Sequence, residues 1–104
     1  MEKIYTTDLT ALTQAGKVVI EFYGNGCLNC QMMTPILNQM ENVFPAIRFY
    51  RVNADENPEL VQKYQVMSLP TLLLFRHGEM LSAIVGVKPS QTLQKLIDQT
   101  LNYA

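Results

Sequence analysis

Lys17-Val-Val-Ile-Glu-Phe-Tyr23, followed at once by Gly24-Asn-Gly-Cys-Leu-Asn-Cys30, is the stretch on which the fold turns. Its first half is a near-continuous β-branched and aromatic run. Such a run predicts a central strand covered on both faces. Gly24-Asn25-Gly26 predicts a turn. From Cys30 to Phe44, Met33, Ile36, Leu37, Met40, Val43 and Phe44 recur at helical spacing. Pro35 within that pattern predicts a kink or break, since it lacks an N–H and clashes with the preceding turn. The pair Cys27 and Cys30 therefore sits just after a central strand, at the start of a helix. In open α/β sheets, sites form outside the carboxyl ends of the strands.

Working outward, Ile4-Tyr5 reads as a short first strand. Thr7 or Asp8 is placed to cap a helix through Leu9, Leu12 and Gln14 that Gly16 stops. Ile47–Val52 reads as a strand. Pro58 opens a short helix through Leu60, Val61 and Tyr64. Thr71–Phe75 is a second buried strand, and His77-Gly78 turns it into Glu79–Val85 as a hairpin. Ser90 is placed to cap a last helix carrying Leu93, Leu96, Ile97 and Leu101. The order βαβαβαββα predicts an α/β fold, with a mostly parallel sheet and one antiparallel hairpin.

The chain has 104 residues, 48% apolar, with eight Lys+Arg against nine Asp+Glu. No repeat or linker divides it, so residues 1–104 are read as one domain. This composition excludes disorder. Cations are scattered singly from Lys3 to Lys95, which argues against nucleic-acid binding. No apolar run approaches a membrane span, and the start Met-Glu-Lys-Ile-Tyr has no signal-peptide core. The expected setting is a reducing cytosol.

There are two cysteines. As a staple, a four-residue loop contributes only roughly 2 kcal/mol in the chain-entropy model, and cytosolic thiols stay reduced. A zinc site needs about four ligands. His77, beside Gly78 in a turn, is the only other soft candidate, so one chain cannot close a Cys/His site, although two chains could share one. Two incidental buried cysteines are the bland alternative. Redox chemistry is the reading that spacing and position favour. The positive end of a helix favours a thiolate at Cys27, with Cys30 one turn further in and close enough for a disulfide. Cys27 is then the attacking thiol and Cys30 the resolving one. Glu21 interrupts the apolar run and is open to two readings. It either faces solvent at a strand end, or it is a buried carboxyl of raised pKa that takes the proton from Cys30. Asn29 would add a backbone N–H and a side-chain amide as donors to the Cys27 thiolate, favouring the reduced form.

Val19-Ile-Glu-Phe-Tyr23 before Cys27-x-x-Cys30, then Pro35-Ile-Leu, Val52-Asn-Ala-Asp-Glu-Asn-Pro58, Leu69-Pro-Thr-Leu-Leu-Leu-Phe75, Gly78-Glu and Val85-Gly86 together resemble the thioredoxin family. The resemblance covers nearly the whole chain. It implies the thioredoxin fold, a central mixed five-stranded sheet flanked by four helices. It implies a thiol–disulfide oxidoreductase acting on protein disulfides, with the Cys27–Cys30 disulfide itself as redox group and no separate cofactor or metal. It also implies a cis Leu69–Pro70 bond facing the cysteines, and a substrate groove. That groove involves Gly26, Leu28, Asn29, Leu69, Pro70 and Gly86. Without the resemblance, Leu69 reads as a core side chain and Gly86 as a turn. Implied partners are protein disulfides and a thioredoxin reductase or another thiol donor, with no nucleic acid and no membrane. The chain is expected to act as a monomer. The departures fall at the site. The family's Trp-Cys-Gly-Pro-Cys-Lys reads here Gly26-Cys27-Leu28-Asn29-Cys30-Gln31, and the chain has no Trp. Tyr23 stands at a second Trp position, and Glu21 replaces a buried Asp. Arg51 matches a Lys near that acid, although the residues alone read it as an exposed strand cation. Met32, Met33 and Met67 suit apolar partners, with Met33 the better candidate for core filling. Two rival functions remain on this reading. One is a partner-binding scaffold with idle cysteines. The other is a dimer bridged by a metal or iron–sulfur centre.

Overall fold

The computed structural model describes residues 1–6 and 8–102. Five strands and four helices alternate as β1 (Glu2–Lys3), α1 (Thr10–Thr13), β2 (Lys17–Tyr23), α2 (Leu28–Val43), β3 (Arg48–Asn53), α3 (Pro58–Lys63), β4 (Thr71–Arg76), β5 (Glu79–Val85) and α4 (Ser90–Leu101). The sheet order is β1-β3-β2-β4-β5. β1 and β2 run parallel to β3, β4 pairs antiparallel with β2, and β5 antiparallel with β4. The mixed sheet read from the sequence is the observed one.

β2 has a strand on each side and helices on both faces, so its interior residues Val18 to Phe22 are all buried. Side chains alternate along a strand. Val18, Ile20 and Phe22 enter the cluster with Leu9, Tyr50, Val52, Leu60 and Leu73. Val19 enters the opposite cluster with Met33, Leu37, Met40, Leu72, Leu74, Leu93 and Ile97. The second cluster lies beneath α2 and α4, and Glu21, two residues on from Val19, belongs to the same face.

Several local expectations are corrected. The first strand lies at Glu2–Lys3, because Ile4 only extends it through its N–H to the Arg51 carbonyl at 2.8 Å, while Tyr5 is exposed. Pro35 does not break α2, which continues to Val43 with Met33, Leu37 and Met40 buried on either side of it. Packing on the sheet outweighs the missing N–H. Ser90 does not cap α4. Pro89 is the N-cap, and the Ser90 hydroxyl donates to Gln39 Oε1 at 3.0 Å, tying α4 to α2. At α1 Asp8 is not the N-cap, which is Leu9 without a side-chain cap bond, although the Asp8 carboxylate accepts the Thr10 N–H at 3.0 Å. The alternative cap, Thr7, lies outside the described residues.

Core truncation should therefore cost far more than trimming the edge strand. Leu74→Ala, at a fully buried position, is expected to lose about 2–5 kcal/mol. Met80→Ala on exposed β5 is expected to stay within about 0.5 kcal/mol of the parent. Urea unfolding midpoints of the two variants measure the contrast.

Candidate functional site

The carboxyl end of β2 delivers the chain through Gly24–Gly26 into α2. Gly26 has φ +64°, a left-handed turn that favours glycine. Cys27 is the N-cap of α2 in extended conformation, and its Sγ accepts the Cys30 N–H at 3.1 Å. Cys30 occupies the third helical position, where an N-cap acceptor finds its donor. The two form a disulfide, with Cα atoms 5.3 Å apart. Cys27 is half-buried and Cys30 only 3% exposed, whereas Leu28 and Asn29 between them face solvent. The donor on Cys27 is thus the Cys30 amide. The Asn29 donors expected from the sequence concern the reduced thiolate, and in this disulfide form the donor sits one residue further on.

A polar network fixes the turn that precedes the cysteines. Asn53, buried at the end of β3, donates from its side-chain amide to Asn25 Oδ1 at 3.0 Å. Its own Oδ1 accepts the Asp55 and Glu56 N–H groups at 2.9 and 3.2 Å. Asp55 Oδ2 accepts the Asn25 N–H at 2.7 Å, and the Ala54 N–H donates to the Tyr23 carbonyl at 2.7 Å. Sequence reasoning missed these roles. An Asn-x-Asp cluster after a strand reads as an ordinary polar loop, and residue types alone do not show that Asn53 is buried.

The other expected groove residues reach the same end of the sheet. The Leu69–Pro70 bond is cis. Phe22 pairs with Thr71, which sets Pro70 beside the end of β2. The Gly86 N–H donates to the Pro70 carbonyl at 2.8 Å. A Cβ at Gly24 would lie 2.7 Å from Leu69 Cδ1, so a side chain there would displace the tip of the Leu69 side chain. Beside this edge, a groove of about 340 Å³ runs between α3 and the segment before Pro70, lined by Ala54, Asp55, Val61, Val66, Met67 and Leu69 among others. Met67, Leu28 and Met32 are exposed, and Met33 is core.

Glu21 does not face solvent. Its side chain is fully buried, and neither carboxylate oxygen has a hydrogen-bond partner. Arg51 is its register partner on β3, so the two side chains share a face. It is half-buried rather than an exposed strand cation, with Nε 3.7 Å from Glu21 Oε1. Its guanidinium carbon lies 3.8 Å from the centre of the Tyr23 ring. Burial pushes the Glu21 pKa up to about 7, with Arg51 and, more weakly, the N-terminal amine opposing it. Among the described residues, no group of three or more His, Cys, Asp or Glu side chains is placed to hold a metal ion.

A family model described as Thioredoxin matches residues 2–99. The chain belongs to the thioredoxin family. The thioredoxin of Bacillus subtilis (strain 168) is 36% identical over 93 residues, spanning 88% of this chain and 89% of the relative. The chloroplastic thioredoxin M4 of Arabidopsis thaliana is also 36% identical over 85 residues, 81% of this chain, but the match spans only 44% of that longer protein. The crystal structure of mitochondrial thioredoxin 3 from Saccharomyces cerevisiae, in its oxidized form, matches with a TM-score of 0.84 at 31% identity, covering 95% of this chain and 94% of that one. Family and C-x-x-C pair together make the protein a thiol–disulfide oxidoreductase, as its sequence implied. Relatives occur in bacteria, chloroplasts and mitochondria, so membership alone assigns no compartment. No helix among the described residues is long and apolar enough to cross a membrane.

The buried carboxyl has a consequence for this thioredoxin's stability. A pKa raised from 4.5 to about 7 means that the folded chain keeps a proton the unfolded chain has released. Stability should therefore fall as pH rises through that window, and no penalty remains below it, where both states are protonated. At about 1.4 kcal/mol per unit, the loss is on the order of 3 kcal/mol. Glu21→Gln should flatten this dependence and be the more stable chain at pH ~8. Urea midpoints of both chains at about pH 4.5 and 8 measure it, and equal slopes would overturn the assignment.

Proposed function

We propose that Cys27 attacks a disulfide of a substrate protein and that Cys30 resolves the intermediate, with Glu21 as proton acceptor. The observation that carries this reading is the unequal exposure of the two sulfur-bearing residues at the helix N-terminus. Cys27 is half-buried and Cys30 nearly sealed. In the reduced protein the Cys27 thiolate, favoured by the helix end and the Cys30 N–H, bonds to one substrate sulfur. The other substrate sulfur leaves as a thiol after taking a proton. Glu21, ionised, accepts the Cys30 proton, and the Cys30 thiolate attacks Cys27 Sγ. The substrate sulfur bonded to Cys27 leaves and takes a proton, and the Cys27–Cys30 disulfide remains. Two electrons have passed to the substrate. A thiol donor such as a thioredoxin reductase restores the dithiol.

The Cys27–Cys30 disulfide suffices as the redox group in this cycle, without a separate cofactor. The groove reading of Gly26, Leu28, Asn29, Leu69, Pro70 and Gly86 is supported by their gathering at one end of the sheet, with Pro70 and Gly86 tied by their backbone bond. Exposed Leu28, Met32 and Met67 offer apolar, adaptable contacts to a protein substrate. A monomer in a reducing cytosol fits this cycle, because such a compartment keeps donor thiols supplied.

The reading is tested by insulin reduction with dithiothreitol and by trapping. The parent chain should accelerate insulin precipitation. Cys30→Ser should accumulate mixed disulfides with substrate proteins, and Cys27→Ser should abolish both turnover and trapping. Iodoacetamide should label Cys27 before Cys30 in the reduced protein, read by peptide mass mapping. Preferential labelling of Cys30 would reverse the two roles. Full inactivity with insulin would favour the scaffold reading.

A further inference from the structure

Among the described residues, three buried side-chain polar atoms lack hydrogen-bond partners: both Glu21 oxygens and Arg51 Nε. They lie across one strand pair, at a closest approach of 3.7 Å. A buried carboxylate and guanidinium this near would ordinarily close to a charge-assisted hydrogen bond of about 2.8 Å. Here the pair stops short while the guanidinium lies over the Tyr23 ring, 3.8 Å from its centre. Stacking on an aromatic face is a competing attraction for a guanidinium. Tyr23 is two residues from Glu21 on the same strand and therefore on the same face of the sheet.

We propose that Tyr23 is a positioning residue that holds Arg51 on its ring, short of a hydrogen bond to Glu21, and so leaves the carboxyl free to bind and release a proton. Its value for the redox cycle rests on the reading of Glu21 as proton acceptor. A fully paired Glu21 would stay ionised well below neutral pH and be a poor base at pH 7. A Glu21 with no cation nearby would stay protonated far above it. The stacked guanidinium gives an intermediate position. On the other side of Arg51, Lys3 of β1 is its register partner and shares this face, with its Nζ held by Glu56 at 3.1 Å. The N-terminal amine is engaged by Glu41 of α2 at 3.0 Å. β4 contributes Leu72 and Leu74, α4 contributes Leu93 and Ile97, and α2 contributes Met33 and Leu37. Cys30, at the start of α2, is silent while in the disulfide.

Carbon-13 NMR titration of the Glu21 carboxyl in the oxidised full chain reads the proposal directly. Tyr23→Leu should lower the Glu21 midpoint by about one pH unit, tenfold in its ionisation equilibrium, as Arg51 closes on it. Tyr23→Phe, which keeps the ring face, should retain the parent midpoint. In an Arg51→Gln background, Tyr23→Leu should move nothing further. If Tyr23→Leu does not fold, Tyr23→Val, which keeps a strand-favouring side chain, makes the same comparison. A midpoint that stays or rises without the ring, or that falls equally without Arg51, would overturn the proposal. The titration does not depend on redox turnover. If it succeeds while Glu21→Gln leaves mixed-disulfide resolution unchanged, the positioning stands and the proton role of Glu21 falls.

Discussion

β2 is covered on both faces and both edges, and most of what is unusual in this protein follows from that enclosure. Five consecutive side chains of the strand are buried, and one of them is a carboxylic acid. Four of the five stabilise the fold by leaving water. The fifth opposes it whenever it is ionised. The same strand then ends at the turn into α2, so the enclosed carboxyl and the helix carrying the cysteines share one face of the sheet. The most firmly held element thus carries both the scaffold and the titrating group. A loop would solvate such an acid and return its pKa toward the ordinary range.

The turn between β2 and α2 is where this rigidity reaches the sulfur atoms. Gly24 lets Leu69 approach, and Gly26 supplies the left-handed step. Neither glycine fixes a conformation alone, because glycine widens the choice of backbone angles. The restriction comes from Asn53 and Asp55, whose side chains engage the Asn25 side chain and backbone across the β3–α3 loop. Asn53 uses its amide and its carbonyl together, so a single buried side chain locks two loops. A site on a loop so fastened behaves as part of the sheet.

Most of the architecture was legible because burial and periodicity agree in this chain. Lys17–Tyr23 and Glu79–Val85 are the strands their patterns indicate, and the spacing of Met33, Leu37 and Met40 marks the buried stripe of α2. The cysteine pair was legible from its position after a strand. What escaped was pairing between elements. Glu21 lay open to both a buried and an exposed reading, since a seven-residue run does not say which end meets solvent. Arg51 read as an exposed cation because nothing local shows that it registers against Glu21. Ser90 resembled a cap because a serine before an apolar helix usually is one, and only the neighbouring Gln39 gives its hydroxyl another partner. Cis geometry at Pro70 came from resemblance, as an X-Pro bond at the start of a strand is ordinarily trans.

The departures from local rules are not spread evenly over the molecule. The faces under α2 with α4 and under α1 with α3 are filled by ordinary apolar packing. Glu21 and Arg51, paired without a hydrogen bond, the left-handed Gly26 and the exposed apolar Leu28, Met32 and Met67 lie toward the end of the sheet where β2 passes into α2. Chains tend to break such rules at functional positions, where stability is traded for chemistry. Arg51 meets the Tyr23 ring there, and the exposed Leu28 and Met32 follow Cys27 on α2 as flexible apolar side chains. The thiol pair and its scaffold are those of the family, and a buried acid and exposed apolar side chains lie beside them. A protein so arranged carries out thiol–disulfide exchange beside a buried acid whose ionisation works against the fold.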